Sequence, residues 1–296
     1  MKITRSAIVS LVAVLAIAGI ALFGTRSTVA TGITPVVAES VAFPAGTTMD
    51  KIARDGVLRV GTRFDHPGLS ARNLRGEQEG FEIDLVRYIA GKLGIAPDRI
   101  AWTEANSASR EQLLQQDKVD IVAATLSITE KRRQVIGFGG RPYLDITNDL
   151  VVAKGNPLGI SDPQTPRGVR VCSTLGGAVS ASVRKNFPDT NLIEFDVSSK
   201  CIDALKNGAV DALVTQGPIG AGYVSKDQKD LELLNKPFSK ETWGIGIPKG
   251  DMAFCEFLNT TITEFYADGS AAEAWADSLG RYTAQQPVLP APQPCT

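Results

Sequence analysis

The chain has 296 residues, 43% hydrophobic and 21% charged, which is enough apolar content for a packed core in one large domain or two modest lobes. A net charge of −1 argues against a nucleic-acid footprint or a polybasic membrane surface. The single histidine, His66, excludes a His-based zinc cluster, and there is no GxSxG elbow to serve a Ser-His-Asp triad and no P-loop.

Lys2 and Arg5 precede an apolar run over residues 7–23, the pattern of an export signal. Residues 1–30 are expected to be a signal peptide or signal anchor, with Thr28-Val29-Ala30 and Val36-Val37-Ala38 as cleavage sites. No cysteine follows the run, so a lipobox anchor is excluded. The bulk is expected outside the cytoplasm, either soluble or held at the cell membrane by an uncleaved anchor. Residues 31–53 read as a linker. The even set Cys172, Cys201, Cys255 and Cys295 favours disulfides in an exported chain, with three pairings open and no CxxC to suggest a metal.

From residue 57 strands and helices alternate. Val57-Leu58-Arg59-Val60-Gly61 reads as a strand and residues 63–80 as a broken loop. Residues 81–93 carry apolar positions at helical spacing, closed by Gly94. Ser109 with Gln112 reads as a capping box, and residues 119–124 as the next strand. The stretch from Thr125 to Arg132 then offers hydroxyls at Thr125, Ser127 and Thr129 and the Arg132 guanidinium. Thr129 is suited to cap a helix there. An arginine binds a carboxylate with paired hydrogen bonds, and a helix start adds positive dipole, so this stretch suits an anion clamp.

A second unit repeats the pattern. Strand 168–172 runs into Ser173-Thr174-Leu175-Gly176-Gly177 and a helix to about residue 187. A strand at 192–195, a helix from Ser199 and a strand at 210–214 follow. The last strand is Trp243-Gly244-Ile245-Gly246-Ile247. Asp251 caps a helix carrying Phe254 and Phe265, and these aromatics, with Trp243, are expected in the core. Ser270 with Glu273 reads as another capping box, and residues 281–296 as a Pro-rich tail. The class is α/β with mainly parallel sheets, in which ligands sit at the carboxyl ends of strands.

In this order the pieces resemble a known family. Val57-Leu58-Arg59-Val60-Gly61-Thr62, Gly80-Phe81-Glu82-Ile83-Asp84-Leu85, Val119-Asp120-Ile121 with Thr129 and Arg132, and Pro142-Tyr143 come first. Ala209-Val210-Asp211-Ala212-Leu213, Trp243-Gly244-Ile245-Gly246 and Tyr266-Ala267-Asp268-Gly269 follow. Together they look like the polar amino-acid solute-binding proteins, family 3, of ABC importers, in the glutamate/glutamine-type group.

The resemblance implies a two-lobed periplasmic-binding-protein fold of type II with a two-strand hinge. Residues 54–151 and 243–280 would form lobe 1 and residues 152–242 lobe 2, the chain crossing near 150–154 and 240–245. It also implies a monomer that captures an amino acid, glutamate or aspartate or else glutamine, with no cofactor and no catalysis. The partner would be an ABC permease or a membrane sensor. A cleft enzyme of dehydratase type, with Asp65, Glu77 or Glu82 as acid or base, is the other reading.

The implied ligand set is uneven. Arg132 matches the arginine that clamps the ligand α-carboxylate, supported by Thr125 and Ser127. Thr174, Gly176 and Gly177 match the second-lobe turn. Arg63 matches a cation that faces an acidic side chain. Gln216 stands where the family places an aspartate for the ligand ammonium, and Asp65 is the expected substitute charge. The glutamate-type relatives carry a cysteine pair at the places of Cys172 and Cys201. The expected bridges are Cys172–Cys201 and Cys255–Cys295, the second giving the tail a reason to be ordered, with a free Cys295 in an intermolecular link as the rival.

Overall fold

The computed structural model describes residues 42–283 and 286–295; the apolar run at 7–23 and its cleavage sites lie outside them. Helix α1 (Thr48–Asp55) is capped by the Thr47 hydroxyl, which accepts from the Asp50 N–H, and is closed by left-handed Gly56. It feeds β1 (Leu58–Thr62). The expected loop that follows folds into a small antiparallel sheet of β2 (Asp65–His66), β3 (Ser70–Arg72) and β4 (Gln78–Glu79). Then come α2 (Phe81–Lys92), β5 (Ile100–Glu104), α3 (Arg110–Gln115), β6 (Ile121–Ala123), α4 (Glu130–Arg133) and β7 (Gly137–Phe138).

The long strand β8 (Leu144–Ala153) carries the chain onward. It leads to β9 (Arg170–Thr174), α5 (Ala178–Asn186), β10 (Asn191–Phe195), α6 (Ser198–Lys206), β11 (Ala212–Gln216), α7 (Gly217–Lys226) and β12 (Leu231–Leu233). Strand β13 (Ser239–Trp243) returns to β14 (Gly246–Ile247), α8 (Met252–Ala267) and α9 (Ser270–Asp277).

Two mixed sheets result. One has the order β5-β1-β6-β14-β7, with β1 parallel to β5 and β6 and β14 antiparallel to β6 and β7. The other has the order β10-β9-β11-β8-β12, with β13 also on β8. There β9 is parallel to β10 and β11, but β8 is antiparallel to all its partners. The expectation of mainly parallel sheets therefore holds for the βαβ units and fails at the strands that enter and leave the lobes.

The crossing strands pair from Leu144↔Trp243 to Asn148↔Ser239. Beyond that point β8 pairs with β11 and β12 inside the second sheet. The crossing thus lies at 144–148, earlier than the expected 150–154. Trp243, Phe254 and Phe265 are fully buried, and Trp243 packs against Tyr143 with ring centroids 6.1 Å apart.

Helix α7, not expected from the sequence, begins with Gly217-Pro218; proline fits the first turn of a helix because its missing N–H is not needed there. Its Gly222 permits contact between lobes: a Cβ there would lie 2.0 Å from the Pro67 carbonyl oxygen. Neither expected capping box forms. Ser109 makes no side-chain cap bond, and Gly269 rather than Ser270 occupies the cap of α9.

Cys172–Cys201 and Cys255–Cys295 are disulfide-bonded. The first ties β9 to α6. The second holds the tail on α8, where the Gln293 N–H donates to Gly140 O (2.8 Å) and Arg141 Nη1 to Pro290 O (2.9 Å). Removing the 172–201 bridge with paired Cys→Ala changes is expected to lower unfolding free energy by about 3–4 kcal/mol, from the 29-residue separation. Denaturant titration of the oxidised proteins measures it, and a loss under 1 kcal/mol would contradict a bridge that constrains the unfolded chain.

Candidate functional site

The strand ends of the two lobes face each other across a cleft. β6 runs out into Ala124-Thr125, and Thr125 adopts φ 47°, a left-handed conformation unusual for a β-branched residue. Its N–H donates to Glu82 Oε1 (2.6 Å), which holds the turn. Glu82 is fully buried and also accepts from the Tyr143 and Ser70 hydroxyls. Burial raises its pKa, and those hydrogen bonds pull the other way. Glu82 is thus an anchor for the rim of the cleft.

Thr129 caps α4 as expected, its hydroxyl accepting from the Arg132 N–H (3.3 Å). That helix is a single turn, so it contributes little dipole. Arg132 is nevertheless buried and aimed. Nε pairs with Glu111 Oε1 (2.5 Å), Nη1 donates to Ser127 O (2.8 Å), and Nη2 reaches Gly176 O of lobe 2 (3.2 Å). Gly176 has φ +76°, and a Cβ there would come within 3.0 Å of Ser107 O and Ala108 Cα, so the turn must be glycine to meet lobe 1.

The remaining expected residues divide. Thr125, Thr174, Gly177 and Gln216 line the central cavity together with His66, Arg110 and Ser198; Arg132 and Gly176 line a neighbouring pocket that shares Ser107, Gly177 and Ala178 with it. The closed walls leave about 10 Å³ at the centre, so a ligand enters only when the lobes part. Gln216 Nε2 reaches Ser127 Oγ (3.3 Å) across the cleft. Arg63 and Asp65 are brought together with each other: Arg63 Nε and Nη2 both donate to Asp65 Oδ1 (2.9 and 2.7 Å). Asp65 then crosses to lobe 2, its Oδ2 accepting from the Ser199 N–H (3.1 Å) and the Tyr223 hydroxyl (3.2 Å). Its charge is committed to this latch. Burial raises the Asp65 pKa and is outweighed by the neighbouring His66 and Arg63 charges and the Ser199 N–H, which hold it at about 2.

Two cavity residues were not legible as such. His66 bridges the lobes, Nδ1 to Thr125 Oγ1 and Nε2 to Ser198 Oγ, each at 3.2 Å. Arg110, at the start of α3, is 2% exposed. Its Nη1 donates to Ala124 O (2.5 Å) and Thr125 O (3.3 Å), while its buried Nε has no partner. Among the described residues it forms no ion pair. Burial, then the like charge of Arg132, pushes Arg110 well below the usual arginine value, to about 9, against the pull of Glu111 and Glu82. The β5–α3 turn is a strand-to-helix turn like β6–α4 and β9–α5, and the carboxyl-end rule applied to it would have pointed to this arginine. The site therefore holds three buried guanidiniums. Arg63 and Arg132 are ion-paired; Arg110 has Glu111 and Glu82 only at longer range. Such an arrangement suits an anion. Among the described residues no group of three His, Cys, Asp or Glu side chains is placed to hold a metal.

Residues 58–278 match the bacterial extracellular solute-binding proteins, family 3. The chain belongs to this family. It is 33% identical over 237 residues to the glutamate-binding protein GluB of Corynebacterium glutamicum, covering 76% of this chain and 79% of that one. It is 30% identical over 200 residues to the ABC transporter glutamine-binding protein GlnH of Bacillus subtilis, covering 68% and 72%. Among solved structures, an ancestral arginine-binding protein bound to glutamine superposes with TM-score 0.69 at 29% identity, over 78% of this chain and 99% of that one. The ancestral amino acid-binding protein AncCDT-1, a precursor of cyclohexadienyl dehydratase, superposes with TM-score 0.71 at 26% identity, over 79% and 100%. The two-lobed, two-strand-hinge architecture is that of the type II periplasmic amino-acid-binding proteins.

His66 gives the cleft a pH dependence. Burial, with the Arg63 charge, pushes its pKa from 6.5 to about 3. The unfolded chain therefore binds the proton more readily. The contribution of the neutral ring is whole above pH 6.5 and is lost as pH falls toward 3, at about 1.4 kcal/mol per pH unit. His66→Gln is expected to flatten this loss between pH 6.5 and 4.5 by about 1–3 kcal/mol. Denaturant unfolding of both proteins at matched pH measures it; a constant difference across that window would contradict it.

Proposed function

We propose that the protein captures an acidic L-amino acid, glutamate or aspartate, outside the cytoplasm and presents it to a membrane ABC importer. The carrying observation is Arg110, a buried guanidinium at the cleft centre with no carboxylate and an unpartnered Nε. In this reading the ligand α-carboxylate goes to Arg132, with Thr125, Ser127, Thr174, Gly176, Gly177 and the start of α5. The distal carboxylate goes to Arg110, with the Arg63 charge behind it. A glutamine amide would leave Arg110 without its anion, which is why acidic ligands are favoured over the amides. Support for the importer comes from the relative named as an ABC transporter binding protein. Support for export comes from the basic residues and apolar run at the N-terminus and from the extracellular setting in the family's description. Among the described residues no helix is long and apolar enough to cross a membrane.

A binding role rather than catalysis is supported by what the acids are doing. Asp65 is latched to Arg63 and lobe 2, and Glu82 is sealed by its donors. Glu77 lies on the exposed β3–β4 turn with Asn73 and Arg75. None of them lines the central cavity.

Titration calorimetry with L-glutamate, L-aspartate and their amides tests this. The acids are expected to bind more tightly than the amides. Arg110→Ala should weaken the acids about 10- to 100-fold and the amides much less. Arg132→Ala should weaken all of them by about 2–5 kcal/mol. Equal losses for acids and amides in Arg110→Ala, or a wild-type preference for the amides, would overturn the acidic reading.

A further inference from the structure

Gln216 provides no negative charge at the place where the resemblance expects an aspartate, and Asp65 is spent on Arg63. A different carboxylate stands beside Gln216. Glu241 lies on β13 in the hinge, paired with Ile146. Its Oε2 accepts from the Ser127 hydroxyl of the lobe 1 rim (2.5 Å) and from Gln216 Nε2 at the end of β11 (3.2 Å). Its Oε1 accepts from Asn148 Nδ2 of the other crossing strand (2.6 Å). The carboxylate therefore sits where both lobes and the hinge meet.

The surroundings of Glu241 are short of a cation. Its partners are all neutral, and among the described residues it forms no ion pair. Asn148 Oδ1 is buried without a donor, so the cluster also has an acceptor to spare. An ammonium group brings one positive charge and three donors. The position suits the amino group of an α-amino acid. Arg132 Nη1 rests on Ser127 O, and an α-amino group is separated from the carboxylate carbon by one atom. A ligand clamped by Arg132 thus carries its ammonium past Ser127 toward Glu241.

We infer that Glu241 is the counter-charge for the ligand ammonium, supplied by the hinge strand in place of the carboxylate that Gln216 lacks. The inference rests on the reading of this cleft as an amino-acid site. It makes the hinge itself a ligand-contacting element, so that binding the ammonium draws Ser127, Gln216 and the crossing strands together.

Calorimetry with L-glutamate and with glutarate, which has both carboxylates and no amino group, separates the possibilities. Glu241→Gln is expected to weaken L-glutamate about 10- to 100-fold and glutarate not at all. Glu241→Gln combined with Gln216→Asp should recover L-glutamate affinity to within about 3-fold by restoring the carboxylate from lobe 2. Glu241→Asp, which keeps the charge, should lose less than Glu241→Gln, and it carries the test should the glutamine variant unfold. Unchanged L-glutamate affinity in Glu241→Gln, or no recovery in the folded double variant, would overturn the inference while leaving the amino-acid site intact. Wild-type protein that takes up none of L-glutamate, L-aspartate or their amides would instead overturn the reading beneath it.

Discussion

The cleft is governed by a buried charge imbalance. Arg63, Arg110 and Arg132 are withdrawn from water within one junction, and burying a guanidinium is costly unless it is paired and hydrogen-bonded. Asp65 and Glu111 answer two of them. Arg110 rests on the carbonyls of Ala124 and Thr125 alone. The left-handed Thr125 turn and the buried Glu82 that fixes it keep those carbonyls in place. The strain at Thr125 is of the size, about 1–3 kcal/mol, that functional turns commonly hold. An anionic ligand seated there, as proposed, would supply the partner that Arg110 lacks.

Closure depends on a small set of polar contacts. Asp65 with Ser199 and Tyr223, His66 with Ser198, Arg132 with Gly176 and Gln216 with Ser127 span the lobes. The neutral ones, of His66 and Gln216, contribute about 0.5–1.5 kcal/mol net each and the charge-assisted ones, of Asp65 and Arg132, about 1.5–3, because the open form gives the same groups to water. A ligand that meets Arg110 and Arg132 only when the lobes are together then shifts the population toward the closed form. Gly176 and Gly222 set the approach distance, since a side chain at either would collide with the opposite lobe.

Much of this was legible in the chain. Alternating strands and helices, the Asp251 cap, the Thr129 cap and the buried aromatics follow from local pattern, and the pairing of Cys172 with Cys201 and Cys255 with Cys295 is present in the structure. What escaped was decided by tertiary contact. Helix α7 was not expected, since glycine is a poor helix former; Gly220 and Gly222 serve close packing on Leu233 and Pro67. The small sheet at 65–79 has strands of two or three residues, too short for periodicity to register. Arg63 read as the side-chain sensor on the cleft, but Asp65, two residues away, takes its Nε and Nη2. Arg110 is marked only by its strand-to-helix turn, and Glu241 carries no local signal at all. One is an arginine in a helix start and the other a glutamate between Lys240 and Thr242, and only the meeting of three elements turns them inward.

A crystal structure of the wild-type protein with L-glutamate tests the central claim most directly. The account predicts the distal carboxylate within about 3 Å of Arg110, its Nε now satisfied, and the α-carboxylate on Arg132. A ligand bound in the cleft with Arg110 still held only by the Ala124 and Thr125 carbonyls would contradict it.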